Sequence, residues 1–255
     1  MLGLFFAPPA RAQIDYRNLD DDRPVRIEDA YPVERYAFEL LAPWRWSRHP
    51  GSSGVHSFIP EIAYGVFANS QVGVKLPVAT ARIGESREWG LAGLRVFGLY
   101  NLNTEGPWLP AVSLRADAVF PVGSLSGEGT QVSLKGILTR SWGRTRMHLN
   151  GAYTFGRSDR LAVVEPAEKW WLGGALDHTF FRNSTLLVAE VYALRPVAGA
   201  PLEVNTSLGV RYQWSPMTVV DLGVGRRLRS EGPDLELTVG VSRALGIAGL
   251  LPRRR

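Results

Sequence analysis

The sequence predicts an all-β chain: a transmembrane antiparallel up-and-down β-barrel of about twelve strands, with short periplasmic turns, longer outer loops and both termini on the periplasmic side. Three observations predict it. From residue 36 onward, apolar and polar residues alternate with a period of two, which marks strands with one apolar face. The polar positions are rich in glycine, serine, threonine and asparagine beside isolated charges. The links between successive strands alternate between short and long, as they do in outer-membrane barrels.

Composition narrows the field around that fold. The chain has 255 residues with 27 glycines, 8 tryptophans, 8 tyrosines and only 3 methionines, which favours strands and tight turns over helical bundles. No stretch of eighteen apolar residues occurs, so no transmembrane helix is written here. The absence of cysteine excludes disulfides and thiolate metal sites. The net charge is +5, but no basic helix, RNA-binding aromatic motif or zinc spacing accompanies it, so no nucleic-acid partner is expected.

The start of the chain is apolar over residues 2–9, and Ala10-Arg11-Ala12 gives the small-x-small pattern of signal-peptidase sites. Residues 1–12 read as a truncated signal peptide, with a true start upstream. Residues 13–35 contain Asp20-Asp21-Asp22 and alternating charges with little apolar periodicity. They are expected to form a periplasmic N-terminal extension that reaches toward the barrel mouth.

Residues 36–244 carry the barrel. Strands are expected near 36–43, 55–67, 71–81, 88–102, 109–122, 130–141, 145–156, 170–181, 184–194, 202–214, 218–227 and 235–244. The clearest is 204–214, where Val204, Thr206, Leu208, Val210, Tyr212 and Trp214 oppose Asn205, Ser207, Gly209, Arg211 and Gln213. Strands near ten residues suit a tilted membrane crossing. The glycines decide which face points inward. Glycine is poor material for a solvated strand face, because it costs entropy and packs nothing, but it suits a crowded concave interior. Aromatics gather at strand ends (Trp44, Trp46, Tyr100, Trp108, Trp142, Trp170, Trp171, Phe180, Phe181 and Trp214), where interfacial girdles belong. Residues 245–255, ending in Arg253-Arg254-Arg255, form a C-terminal tail without the usual terminal aromatic.

The words RPVRIEDAYPVERYAFEL at 23–40 and PEIAYGVFANSQVGVKLPV at 60–78 resemble the meta-pathway phenol-degradation family of outer-membrane proteins. The similarity in pattern extends over most of 27–244. The resemblance implies a transporter-like barrel of the Gram-negative envelope and, through the family's name, uptake of aromatic hydrocarbons. It carries over no catalytic residue.

With the apolar face outward, the inward positions include Glu39, Glu61, Lys75, Arg95, Arg115, Asp117, Lys135, Asp177, Glu190, Arg211, Asp221 and Glu236. These are the candidate lumen-lining residues. Both signs are present in similar numbers, whereas a wide ion-selective pore would carry one sign in excess. Two readings stand: an ion-paired network filling a narrow lumen, or charges that line water. Arg115, Asp117, Arg95 and Lys135 are expected to cluster on neighbouring strands, and a charge introduced at Ser207 is expected to be tolerated. Some outer-membrane barrels are lipid hydrolases, which need a nucleophile beside a base, and the candidate bases are His49, His56, His148 and His178. None lies in a local histidine-x-serine pair, and only a triad assembled across strands would serve. No phosphate loop, paired histidine ligands or calcium loop occurs, so neither metal nor cofactor is expected.

The expected function is an outer-membrane channel or porin-like transporter for small molecules, hydrophobic or aromatic ones among them, rather than an enzyme. The alternatives are a structural or surface-binding barrel, whose Arg82, Arg87, Arg157 and Arg160 would meet lipopolysaccharide phosphates, and a lipid-modifying enzyme. The expected partners are outer-membrane lipid and lipopolysaccharide, the barrel assembly machinery, and a small-molecule cargo that the sequence does not name.

Overall fold

The computed structural model describes residues 14–51, 54–83, 86–156, 170–180, 184–195, 201–229 and 232–246. The signal-like segment 1–12, Arg157, Arg160, Phe181 and all of the tail beyond 246 lie outside them. The wall is built from sixteen strand segments that make twelve barrel strands. Four are bent: β1 (Ala37–Leu41) with β2 (Trp44–Arg48), β3 (Val55–Phe58) with β4 (Glu61–Phe67), β5 (Ser70–Lys75) with β6 (Val78–Ile83), and β7 (Ser86–Leu91) with β8 (Leu94–Asn103). Eight run unbroken: β9 (Ala111–Phe120), β10 (Gln131–Trp142), β11 (Thr145–Phe155), β12 (Trp170–Phe180), β13 (Thr185–Arg195), β14 (Glu203–Ser215), β15 (Thr218–Arg229) and β16 (Leu235–Gly246). Every neighbouring pair is antiparallel. The sheet closes where β16 pairs with β1, from Ala37↔Gly246 to Leu41↔Ser242, and continues onto β2. Closure leaves the ring of β1, β4, β5 and β8 to β16 without an edge, as a bilayer requires.

Three of the four bends share one physical cause. Pro43, Pro60 and Pro77 each lack an N–H for the ladder, and all three fall on adjacent strands. The carbonyls of Pro43, Pro60 and Pro77 accept the N–H of Ile59, Leu76 and Ala92 at 3.0, 3.0 and 2.9 Å. The three prolines therefore form one crease across the first four strands, which Gly93 completes with a φ of +127°. Beyond the crease, β7 pairs with β6 alone among the described residues. Its other side is met by Leu125, whose N–H bonds the Leu91 carbonyl at 2.9 Å. Ile59, Ala79, Ala92 and Leu125 pack there into a small separate core.

The two faces of the wall divide as the alternation predicts. Leu208, Leu172, Leu176, Ile62, Leu114, Leu134 and Leu222 are all more than half exposed on the outer surface, an apolar belt that only lipid can cover. Ser207, next to the 60% exposed Leu208, is 6% exposed. Tyr100, Trp108, Trp142, Tyr212 and Trp214 lie exposed near the periplasmic ends, and Trp89, Tyr153 and Phe155 near the outer ends. Trp171 is the exception: it points inward and is buried, because it follows Trp170 directly and the alternation sends the two to opposite faces. Strand β13 departs from the apolar-out, polar-in rule. Leu186, Val188, Tyr192 and Leu194 face inward and are buried, while Leu187 and Val191 face lipid.

The inward apolar face of β13 has a partner within the chain. The segment 14–35 runs through the barrel interior, deeper than an extension at the mouth. The N–H of Ile14 bonds the Pro216 carbonyl of the short β14–β15 turn at 3.1 Å, which fixes its start at the periplasmic end. It rises to Asp22, turns at the cis Arg23-Pro24 bond, and descends to Tyr36, whose N–H bonds Gly65 at 2.7 Å. Ile14, Tyr16, Leu19, Val25, Ile27 and Val33 join Phe97, Trp171, Leu186, Val188, Tyr192 and Leu194 in the main core. In this membrane barrel the core is the filled lumen.

Candidate functional site

The inward glycines mark where the segment is seated. A Cβ on Gly223 would lie 2.3 Å from the Pro24 carbonyl oxygen, and one on Gly209 would lie 2.5 Å from the Pro24 ring. A Cβ on Gly65 would meet the Glu34 carbonyl oxygen at 2.1 Å, and one on Gly173 would approach Ile27 at 3.1 Å. Any larger residue at these wall positions would collide with the segment, much of it with backbone that cannot step aside.

Polar wall side chains then satisfy the backbone of a segment that has no strand or helix of its own, as buried amides require. Glu190 accepts the N–H groups of Arg26 and Ile27 at 2.9 and 3.0 Å. Asn150 brackets Glu28, accepting its N–H at 2.9 Å and donating to its carbonyl at 2.8 Å. Asn101 and Ser113 donate to the Ala30 carbonyl at 2.9 and 2.6 Å. Gln71 accepts from Val33, and Gln213 donates to the Ile14 carbonyl.

The charges complete the seat. All twelve sequence-predicted lumen residues point inward, and nine of them are buried; Arg95, Glu236 and Lys135 have side chains 15%, 12% and 10% exposed. Arg115 and Asp117 pair at 2.9 Å on β9, and Arg115 reaches Glu28 of the segment at 2.8 Å. Lys135 reaches Asp21 and Glu28 at 3.2 and 3.3 Å. Lys75 contacts Asp21, Asp22 and Glu61 between 3.2 and 3.4 Å. On the other side of the lumen, Arg23, fully buried, pairs with Asp221 at 2.9 Å, Asp20 at 2.5 Å and Glu39 at 3.6 Å. Arg211 reaches Asp221 at 2.7 Å and Asp20 at 3.5 Å. Glu236 lies 3.8 Å from Arg45, which also holds Asp22 at 3.1 Å. Asp177 pairs with Arg146 at 2.7 Å, and Arg146 holds Asp29 at 3.0 Å. Of the two readings left open by the mixed charges, the geometry matches the ion-paired network.

Burial and the adjacent Asp22 push the Asp21 carboxyl up, but Lys135, Lys75 and Arg115 outweigh them and hold it below the ordinary carboxylate range. The segment's anchor thus keeps its charge.

Sequence reasoning missed the segment's own contribution: Asp20, Asp21, Asp22, Arg23, Glu28 and Asp29. It also passed over the wall residues Arg45, Arg146, Asn101 and Gln71. Alternation could have found Arg45, between the outward Trp44 and Trp46, and Arg146, two residues from the inward His148. The tolerance expected at Ser207 is not what the packing allows: a Cβ on Gly225 would come within 2.7 Å of its hydroxyl. Tyr64 lies on the outer face, stacked on Phe38 at 4.5 Å.

One cross-strand triad does assemble. Thr139 Oγ1 lies 3.0 Å from His148 Nδ1, and His148 Nε2 lies 2.9 Å from Asp177 Oδ2. The Thr139 hydroxyl also accepts the Ala30 N–H at 2.9 Å. With the imidazole proton on Nε2, the three bonds form one chain of donation from Ala30 through Thr139 and His148 to Asp177. All three side chains are buried, so no substrate carbonyl can approach the hydroxyl. The chain seats the segment. The other histidines are not part of it: His56 packs on Trp44, and His178 pairs with Thr145.

No protein-family model matches this chain, and no curated protein matches it in sequence. Solved structures do match. The COG4313 outer membrane channel from Pseudomonas putida F1 superposes with a TM-score of 0.64 at 12% identity, over 85% of this chain and 98% of that one. The KdgM porin gives 0.54 at 16% identity over 80% and 98%, and the NanC porin 0.53 at 9% identity over 81% and 98%. The likeness establishes the fold, and with the closed wall and apolar outer belt it makes this chain an outer-membrane β-barrel.

Proposed function

We propose that the protein is an outer-membrane channel for small molecules, held closed by its own N-terminal segment. One observation carries the reading: the segment is bound to a polar, charged inner wall by ion pairs and side-chain hydrogen bonds that water or a solute can replace. A barrel needing only a static core would fill it with apolar side chains, since buried ion pairs add little net stability. Hollows remain on both sides of the segment. A cavity of about 60 Å³ lies toward the outer ends, lined in part by Arg95, Val119, Ser133 and Thr154, and one of about 430 Å³ lies toward the periplasm, lined in part by Asp15, Tyr31 and Arg146.

A second reading, for hydrophobic or aromatic cargo, is favoured by the proline crease and by β7, whose far side is met by a loop residue and not by a strand. Such a cargo would pass Phe97, Trp171 and Tyr192 inside the lumen and leave sideways into lipid above the crease. Refolded protein in planar bilayers separates these readings from a purely structural barrel. The channel reading expects discrete openings from a low basal conductance, and influx of small polar solutes into liposomes. Lateral exit expects influx of aromatic solutes without ionic current. A barrel that passes neither class of solute contradicts both.

A further inference from the structure

Four cations stand together on four adjacent strands of the inner wall. Lys75 on β5 is the register partner of Arg95 on β8, and Arg115 on β9 is the partner of Lys135 on β10. Like charges directly opposite one another in an antiparallel pair are destabilising, so a wall that sets two such pairs side by side needs anions to hold it. The wall supplies Glu61, beside Lys75, and Asp117, beside Arg115. The rest comes from the segment. A single carboxylate, that of Asp21, lies 3.4 Å from Lys75, 3.9 Å from Arg95, 3.4 Å from Arg115 and 3.2 Å from Lys135. Glu28 adds a second carboxylate against Arg115 and Lys135. The opposite side of the lumen carries Glu39, Glu190, Asp221 and Glu236 against the two wall arginines Arg45 and Arg211, an excess of carboxylates, and there the segment presents Arg23. The sorting of charge is therefore transverse, with one anion-binding side.

The small outer cavity opens beside that side. Asp21, Arg95 and Lys135 all line it, so a solute arriving from outside meets two of the four cations while Asp21 still occupies them. Phe97 and Trp171 support the same cations, under Arg115 at 4.0 Å and Lys135 at 5.6 Å from the ring centres. Such contacts help hold the cationic groups in place when their anion leaves.

We propose that Lys75, Arg95, Arg115 and Lys135 form a binding site for small solutes bearing two or more closely spaced carboxylates, and that Asp21 and Glu28 occupy it as an internal competitor which such a solute displaces. The site itself stands on the geometry of the wall; the displacement step rests on the channel reading above. Several charge-assisted contacts to a compact polyanion exceed what a monocarboxylate can make, which sets the selectivity.

The test uses the full chain, its Asp21→Asn and Lys135→Gln variants, and propane-1,2,3-tricarboxylate with acetate as the single-charge control. In planar bilayers, tricarboxylate on the outer side should increase wild-type opening at a concentration roughly tenfold below that at which acetate acts. Asp21→Asn should open more often at rest, prefer chloride over potassium, and be blocked by tricarboxylate. Lys135→Gln should weaken every tricarboxylate effect roughly tenfold. Calorimetric titration of tricarboxylate into the detergent-folded proteins gives a readout that needs no current. Channels that open but ignore tricarboxylate, with no heat of binding to Asp21→Asn, overturn the inference and leave the channel reading standing. Silent barrels that still bind tricarboxylate through Lys135 keep the site and end the channel reading. If Asp21→Asn does not fold, Glu28→Gln serves, with the same pattern expected.

Discussion

On β14, Leu208 and Ser207 are neighbours in sequence and face different surroundings. Leu208 sits 60% exposed on a face that lipid covers, and its neighbours need only be apolar. Ser207 faces a lumen packed by Pro24 and by the inward side chains of β13 and β15, where shape and charge both matter. The outer face is thus a generic surface that any bilayer satisfies. The inner face is a specific one, and its partner is a segment of the same chain. Glycines at 65, 173, 209 and 223 are spaces shaped for that segment, and the like-charged pairs Lys75–Arg95 and Arg115–Lys135 are tolerable because it brings carboxylates to them.

The comparison predicts two kinds of damage. Arg23→Ala should have the largest effect, about 3–5 kcal/mol, because it leaves Glu39 and part of the charge on Asp20 and Asp221 buried without a partner. The loss should appear as proteolytic cleavage within 14–35 while the barrel still migrates as folded. Leu208→Arg should cost about 2–4 kcal/mol near mid-membrane, read as a lower urea midpoint in lipid, with the segment no more cleavable than in the wild type. Gly223→Ala is the gentlest probe. Its new methyl group meets the Pro24 carbonyl, so about 1–3 kcal/mol of overpacking should fall on the seat of the segment. If Leu208→Arg loosens the segment as much as Gly223→Ala does, the two faces are not independent.

Much of the wall was legible in the sequence, because each strand's alternation is local and lipid imposes it everywhere. The stretch expected at 130–141 became Gln131–Trp142, and 235–244 became Leu235–Gly246. The twelve inward charges followed from the same period. The four bends were less visible, since a proline within an alternating run does not say whether the strand ends or creases. That depended on three prolines coming into register across strands. Residues 14–35 were the least legible. They have no period, because their backbone groups are satisfied one at a time by Glu190, Asn150, Asn101 and Gln71 from four different strands. The signal was present in the wall, whose inward glycines implied a crowded interior, but nothing local said what crowded it. Strand β13, apolar on both faces, was the second clue.

The central claim is that residues 14–35 occupy the lumen of the folded barrel. Because the chain contains no cysteine, a single thiol can report on it directly. Ile27→Cys places that thiol at a fully buried position against the inner wall, and Asp15→Cys places one at an exposed position on the same segment. In protein refolded into lipid, a water-soluble maleimide should label Asp15→Cys readily and leave Ile27→Cys unlabelled until the barrel is denatured. Labelling of Ile27→Cys in the folded state at the rate seen for Asp15→Cys would place the segment outside the lumen and contradict the account.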